Sequence, residues 1–262
     1  KIHFFRALGL FIEALRKSNS FKIYEEPQFT MNGVMFDVSR NAVMTVKSIK
    51  KMILKMAIMG LDTIMLYTED LYQIDGQPYF GYMRGRYTKD ELKECDDFAD
   101  IFGIEMIPCI QTLAHLREFL KWDAAAHLRE NISTLLPGND ATYEFIEEMI
   151  KAASAPFRSR RIHLGMDEAN ELGLGNYLKM HGYQRRFDIM NMHVKRVLEI
   201  TRKLGLKPMI WSDMYFKIGS KKRVDYDPDA VIPDDVAENI PKDLELVYWD
   251  YYHKEEDFYL NL

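Results

Sequence analysis

The sequence predicts an α/β fold built on a parallel sheet, with a (β/α)8 barrel of the TIM type as first choice and an open doubly wound sheet as second. Three observations predict it. Helical periodicity stops at a glycine and an apolar run follows at once: Met59-Gly60-Leu61 before DTIMLYT, Phe102-Gly103-Ile104 before EMIPCI, and Leu204-Gly205-Leu206 before KPMIW. Glycine there supplies the left-handed conformation that closes a helix, so a strand can begin within a residue or two. Near-continuous apolar strands alternate with amphipathic helices, the pattern of a parallel sheet covered by helices. Finally, the loops are lopsided: almost nothing joins helix to strand, whereas strand-to-helix connections are long, at 68–87, 111–138, 167–182 and 212–243. In a parallel α/β fold the long set gathers at the carboxyl ends of the strands, where such folds place their chemistry. No GxGxxG or Walker-type glycine loop follows a strand, which counts against a nucleotide-binding sheet.

The elements follow in order. Residues 1–30 read as a lead-in segment or helix, and 31–262 as the barrel domain. Strand Val34–Val38 precedes a helix at about 45–59 with Val46, Ile49, Ile53 and Met56 on one face. Strand Thr63–Tyr67 precedes a helix at 88–102, which opens on the capping-box pattern Thr88-x-x-Glu91 and aligns Leu92, Cys95, Phe98, Ala99 and Phe102. Then come strand Glu105–Ile110, a helix at 139–153, strand Arg161–Gly165, a helix at 183–204, strand Pro208–Trp211, a short helix, and strand Glu245–Trp249. Six strand–helix units are visible, so a barrel would lack its last two within this chain.

The 262 residues suit one large domain, and 35 Lys+Arg against 40 Asp+Glu, a net charge of -5, argue against a nucleic-acid partner, which needs clustered basic residues. Apolar stretches such as Met52–Met59 are too short and too lysine-punctuated to span a bilayer, so no membrane partner is expected. Cys95 and Cys109 cannot build a disulfide framework, and free thiols fit a reducing compartment: a cytoplasmic location is expected rather than a secreted one. The chain begins at Lys1 without an initiator methionine and reads as an excerpt.

Candidate chemistry lies at the strand ends. Asp167 and Glu168 directly follow RIHLGM; adjacent carboxylates in a cleft repel each other, and a partly buried one can stay protonated as an acid. The plainer alternative is a solvated acidic loop. His115 stands in the loop after the third strand, as a catalyst or as a structural hydrogen-bonder. His163 falls inside the fourth strand and reads as a core histidine. His3, His127, His181, His193 and His253 show no ligand spacing, so neither a metal nor another cofactor is expected. Glu69 and Asp70 follow the second strand, where they could orient His115 or bind sugar hydroxyls. Trp211 and Trp249 end the fifth and sixth strands beside Asp213 and Asp250. Rings at strand tips usually cap a core, but tryptophans flanked by carboxylates also hold sugars, whose C–H faces stack while hydroxyls need fixed acceptors.

As a set, FDVSRN, TED, QTLAH, HLGMDE, IWSDM and VYWDYY resemble glycoside hydrolase family 20, the exo-acting β-N-acetylhexosaminidases, and most of all its bacterial branch active on terminal β-N-acetylglucosamine. The likeness runs from about Asn32 to the end, and His163 to Glu168 is its specific part. It implies a (β/α)8 barrel and substrate-assisted retaining hydrolysis through an oxazolinium ion, an exception to the usual two-carboxylate scheme. By the resemblance, Glu168 protonates the leaving oxygen and needs a raised pKa, Asp167 holds the acetamido N–H, and His115 links the acid to Glu69, with Asp70 beside it. Trp211 and Trp249 would wall the pocket. The family's sugar-gripping arginine before the first-strand glycine is here Asn32, with Arg40 as a substitute. The family's seventh-strand tyrosine and eighth-strand Trp and acid would fall beyond Leu262, so the chain is expected to be a catalytic-domain fragment. The partners implied are β-linked N-acetylglucosaminyl glycans, N-acetylgalactosaminyl ones included, with a homodimer admitted. A non-catalytic sugar-binding barrel and a barrel glycosidase with a carboxylate nucleophile are the alternatives.

Overall fold

The computed structural model describes residues 1–40 and 42–262; Asn41, the last residue of the FDVSRN motif, lies outside the described residues. In chain order the elements are α1 (Ile2–Leu15), β1 (Gly33–Asp37), α2 (Val46–Met59), β2 (Thr63–Tyr67), α3 (Lys89–Phe102), β3 (Glu105–Cys109), α4 (Arg117–Leu120), a 3-10 turn (Asp123–Leu128), α5 (Asp140–Ser154), β4 (Arg161–His163), α6 (Asn176–His181), α7 (Arg186–Lys203), β5 (Lys207–Trp211), α8 (Asp213–Gly219), α9 (Asp234–Glu238), β6 (Glu245–Val247) and α10 (Glu256–Asn261).

The six strands are all parallel and lie in the order β1-β2-β3-β4-β5-β6. A doubly wound sheet reverses direction at a switch point, and this order has none. The sheet is therefore an arc of a (β/α)8 barrel. Each joining glycine does what its position requires: Gly60 (φ 79) and Gly103 (φ 76) cap α2 and α3 in the left-handed conformation. Thr88 and Glu91 close the expected capping box at the head of α3. The core forms where the inner faces of the helices, Ile49, Ile53 and Met56 of α2, Leu92 and Cys95 of α3, Ile146 and Met149 of α5, Val194 and Val197 of α7, meet Ile64, Met106, Ile162 and Ile210 of the strands.

Some expectations need correction. Strand β4 ends at His163 instead of Gly165, because Gly165 (φ 70) and Met166 (φ 74) turn the chain out of the ladder. Strand β6 ends at Val247, so Trp249 stands beyond the ladder. Helix α1 packs at the foot of the sheet, with Phe5 against Phe102 at 4.9 Å between ring centroids. A cavity of about 940 Å³ opens there, between α1, the extended chain at 21–32 and the end of α2. Among the described residues, no helix is long and apolar enough to cross a membrane. Cys95 and Cys109 are both free and buried.

Candidate active site at the carboxyl ends of the strands

The tips of β2, β3 and β4 bring the acidic candidates and one histidine together. His115 Nε2 lies 3.1 Å from Asp167 Oδ2 and 3.3 Å from Glu168 Oε2. Asp167 is buried, whereas the Glu168 side chain keeps 40% of its surface exposed, so Glu168 is the member facing open space. His115 (φ 57), Met166 (φ 74) and Glu168 (φ 52) all adopt left-handed backbone. Such positions cost of order 1–3 kcal/mol each and persist only where the surroundings over-determine them.

Electrostatics decides the charges. Burial alone would lower the His115 imidazolium's pKa, but its contacts with Asp167 and Glu168 outweigh burial and push it up to about 10. Burial raises Asp167, yet contacts from His115 and Gln111 hold its pKa below the ordinary value. The expectation that Glu168 has a raised pKa fails here: the His115 contact, outweighing partial burial, holds it below the ordinary value. The trio thus carries one proton, placed on the imidazole. The same three ligand-type atoms lie within 4.8 Å of one another, a convergence across β3 and β4 that no sequence spacing revealed.

The other candidates separate into three groups. Glu69, raised by burial, is buried at the same rim but does not continue the His115 contact. It accepts from the Tyr67 hydroxyl at 3.4 Å and lies 3.7 Å from Arg40 Nε. Glu69, His115, Arg40, Arg84 and Glu118 share a cavity of about 330 Å³, and Arg40 lies over the Tyr67 ring at 4.8 Å. Asp70 and Asp213 are corrected as sugar contacts, because both are fully buried. Asp70 is covered by Arg84, whose Nε lies 3.0 Å away. Asp213 accepts the Glu168 backbone N–H at 3.0 Å, and burial with Asp167 nearby raises it to about 7. Asn32 is corrected outright: it stands at the amino end of β1, its N–H bonded to Asp62 at 2.9 Å, beside the cavity at the foot of the sheet. A five-residue strand rising about 3.3 Å per residue separates it from the rim.

Trp211 ends β5 and packs on His163 at 4.3 Å between ring centroids. Burial lowers His163 to about 4, so the ring is neutral, and its Nδ1 accepts the Gly165 N–H at 3.1 Å while its Nε2 has no partner. Trp249 is half-buried beside Tyr226 and Tyr251, its backbone N–H donating to the Tyr226 hydroxyl at 3.2 Å. Sequence reasoning passed over Gln111, Tyr67, Arg84 and Tyr226. For Gln111 the signal was available: it is the first polar residue after an apolar strand, as Asp167 is.

Residues 29–251 match the family model described as glycosyl hydrolase family 20, catalytic domain. The chain belongs to glycosyl hydrolase family 20. It is 26% identical to human hexosaminidase D over 204 residues, covering 74% of this chain and 39% of that protein. It is likewise 26% identical to hexosaminidase D of Bos taurus, there covering 55% of the relative. Among solved structures it superposes with a family 20 exo-β-N-acetylglucosaminidase of Vibrio harveyi bound to N-acetylglucosamine, at a TM-score of 0.73, 20% identity, 95% of this chain and 44% of that one. A β-N-acetylhexosaminidase of Streptomyces coelicolor gives 0.65 at 20% identity over 90% and 46%. These superpositions confirm the barrel fold. The chain spans between about two fifths and just over half of the length of these relatives. Within a family 20 domain, the charged group at the tips of β3 and β4 is the place to look for chemistry.

Proposed function

We propose that this family 20 chain is the catalytic barrel of an exo-acting β-N-acetylhexosaminidase, removing terminal β-linked N-acetylglucosamine by substrate-assisted, retaining hydrolysis. One observation carries the reading. Of two adjacent carboxylates on one strand tip, Asp167 has both oxygens engaged, by Gln111 and by His115, while Glu168 faces solvent. A carboxylate held on both oxygens is poorly placed to attack carbon and well placed to accept an N–H.

The chemistry follows from the proton count. A sugar covering Glu168 removes water from it, adding to the burial that already favours its neutral form. The proton on His115 Nε2, 3.3 Å away, then has reason to move to Glu168. Protonated Glu168 donates to the leaving oxygen as the 2-acetamido oxygen attacks the anomeric carbon and the glycosidic bond breaks. Asp167 accepts the acetamido N–H and stabilises the charge that develops there. Glu168, now a carboxylate, takes a proton from water as it attacks the same carbon and opens the oxazolinium ring, so configuration is retained. Trp211 and Trp249 supply rings at the rim for the sugar face.

The test uses aryl glycosides. The aryl β-N-acetylglucosaminide should be cleaved with retention and the matching β-glucoside, lacking the acetamide, should not. Glu168→Gln and Asp167→Asn should each lower kcat by roughly 10²–10⁴-fold. Parental rates in both variants, or a covalent sugar–carboxylate adduct in the parent, would overturn the assignment.

A further inference from the structure

The site holds a polar residue that the chemistry above leaves without a part. Gln111 is fully buried, just past β3, and all of its amide is engaged. Its Nε2 donates to Asp167 Oδ1 at 2.6 Å and to the Tyr67 hydroxyl at 3.0 Å. Its Oε1 accepts the Met166 N–H at 3.1 Å. Turning the amide over would set its oxygen against the Asp167 carboxylate and its NH2 against the Met166 N–H, so one orientation is enforced. Tyr67 in turn donates to Glu69. The backbone makes room for this amide: a Cβ on Gly165 would lie 2.1 Å from Gln111 Oε1, and Gly165 has φ 70. Gly165, Met166 and Asp167 therefore form one unit with Gln111.

We propose that Gln111 is a positioning residue of this site: its amide fixes the plane of the Asp167 carboxylate and ties it through Tyr67 to Glu69 on the second strand. Gln111 donates to Asp167 Oδ1 and the His115 imidazole lies 3.1 Å from Oδ2 as its ion-pair partner, so two groups from one loop, four residues apart, determine how that carboxylate faces a substrate N–H. Each oxygen keeps a second lone pair for the substrate. The proposal rests on the sugar-cleaving reading for its kinetic consequence and on geometry alone for its effect on Asp167. The groups facing Asp167 are His115 and Gln111 after β3, Cys109 at the end of β3, Tyr67 of β2, His163 of β4, Glu168 beside it and Asp213 at the head of α8. Of these, Gln111 and His115 favour its ionised form.

Two measurements separate the two claims. The carboxyl titration of Asp167, followed by NMR in the parent and in Gln111→Leu, should move to higher pH in the variant, since the carboxylate loses a donor. With the aryl β-N-acetylglucosaminide, Gln111→Leu should lower kcat by roughly 10- to 100-fold while KM changes by less than about threefold. The acid limb of its pH profile should shift upward with the Asp167 titration. Gln111→Glu, which sets a carboxylate against Asp167, should shift both further, and Tyr67→Phe should show a smaller loss in the same direction. Melting curves identify variants that fail to fold; if Gln111→Leu does, Tyr67→Phe, which leaves Asp167 itself untouched, decides by the same titration. An unchanged Asp167 titration in the folded variants overturns the positioning role, as does a KM effect without a kcat effect. A parent that titrates as expected yet cleaves no N-acetylglucosaminide overturns the sugar-cleaving reading and leaves the Gln111 geometry standing.

Discussion

Replacing His115 by asparagine removes the cation that Asp167 and Glu168 share. Asparagine tolerates the left-handed backbone at this position (φ 57), so the change adds little strain of its own. At about 3 Å and an effective dielectric of about 20, each contact is a gross attraction of about 5 kcal/mol, much of it offset by desolvation. Proton linkage gives a second bound. The imidazole titrates at about 10 in the folded chain, against about 6.5 unfolded, which caps its contribution at about 5 kcal/mol. Breaking a buried pair costs about 3–5 kcal/mol, within that cap. The sign follows from a folded pKa above the unfolded one. The contribution is fully present below about pH 6.5 and is lost as pH rises through about 10. Below about pH 4 the carboxylates themselves begin to protonate and the difference shrinks again. Urea unfolding of parent and His115→Asn at pH 5.5, 7, 8.5 and 10.5 should therefore show a destabilisation of about 3 kcal/mol or more at pH 5.5, narrowing towards zero by pH 10.5. A difference independent of pH would refute the ion-pair account and leave His115 as a packing residue.

Arg84→Met leaves Asp70 buried without its cation and should cost about 3 kcal/mol in urea unfolding at pH 7; a loss under about 1 kcal/mol would show that Asp70 is neutral in the folded chain. Gly165→Ala forces a methyl onto the Gln111 amide at a left-handed position, so both melting temperature and kcat should fall, whereas Gly76→Ala, also left-handed but with nothing within 4 Å, should lower stability alone. Thr88→Ala removes the side-chain half of the capping box at the head of α3 and should cost about 1 kcal/mol with no effect on kcat.

Much of this molecule is legible one segment at a time. Thr88, Glu91 and Gly103 bound α3 because caps are local: each satisfies backbone groups within a few residues of itself. Strand β2 is found where expected, because a threonine followed by four apolar residues between two turns leaves little else to be. Asp167, Glu168 and Glu69 are legible as candidates for a similar reason, as carboxylates at the ends of apolar strands, and His115 as a histidine in the long loop after the third. Asn32 shows the limit of that reasoning. The motif it precedes assigns it to the rim, yet it stands before its strand, and in a parallel barrel that means the opposite end. Asp70 and Asp213 show another limit: adjacency to a strand tip does not say whether a carboxylate faces solvent or is covered by Arg84 or by the backbone of Glu168.

By itself the sequence determined the six strands, the long helices between them, the parallel sheet and the end of it that carries the acids, since each follows from local periodicity, capping and loop length, while the short helices α4 and α6 went unread inside segments expected to be loops. Tertiary structure alone decided that one imidazole would meet both carboxylates, that this contact would hold Glu168 below the ordinary carboxylate range, and that Gln111 would grip Asp167. Those outcomes depend on distances between residues 44 to 56 positions apart in the chain. Through-space electrostatics and burial act on such distances whatever the separation along the sequence.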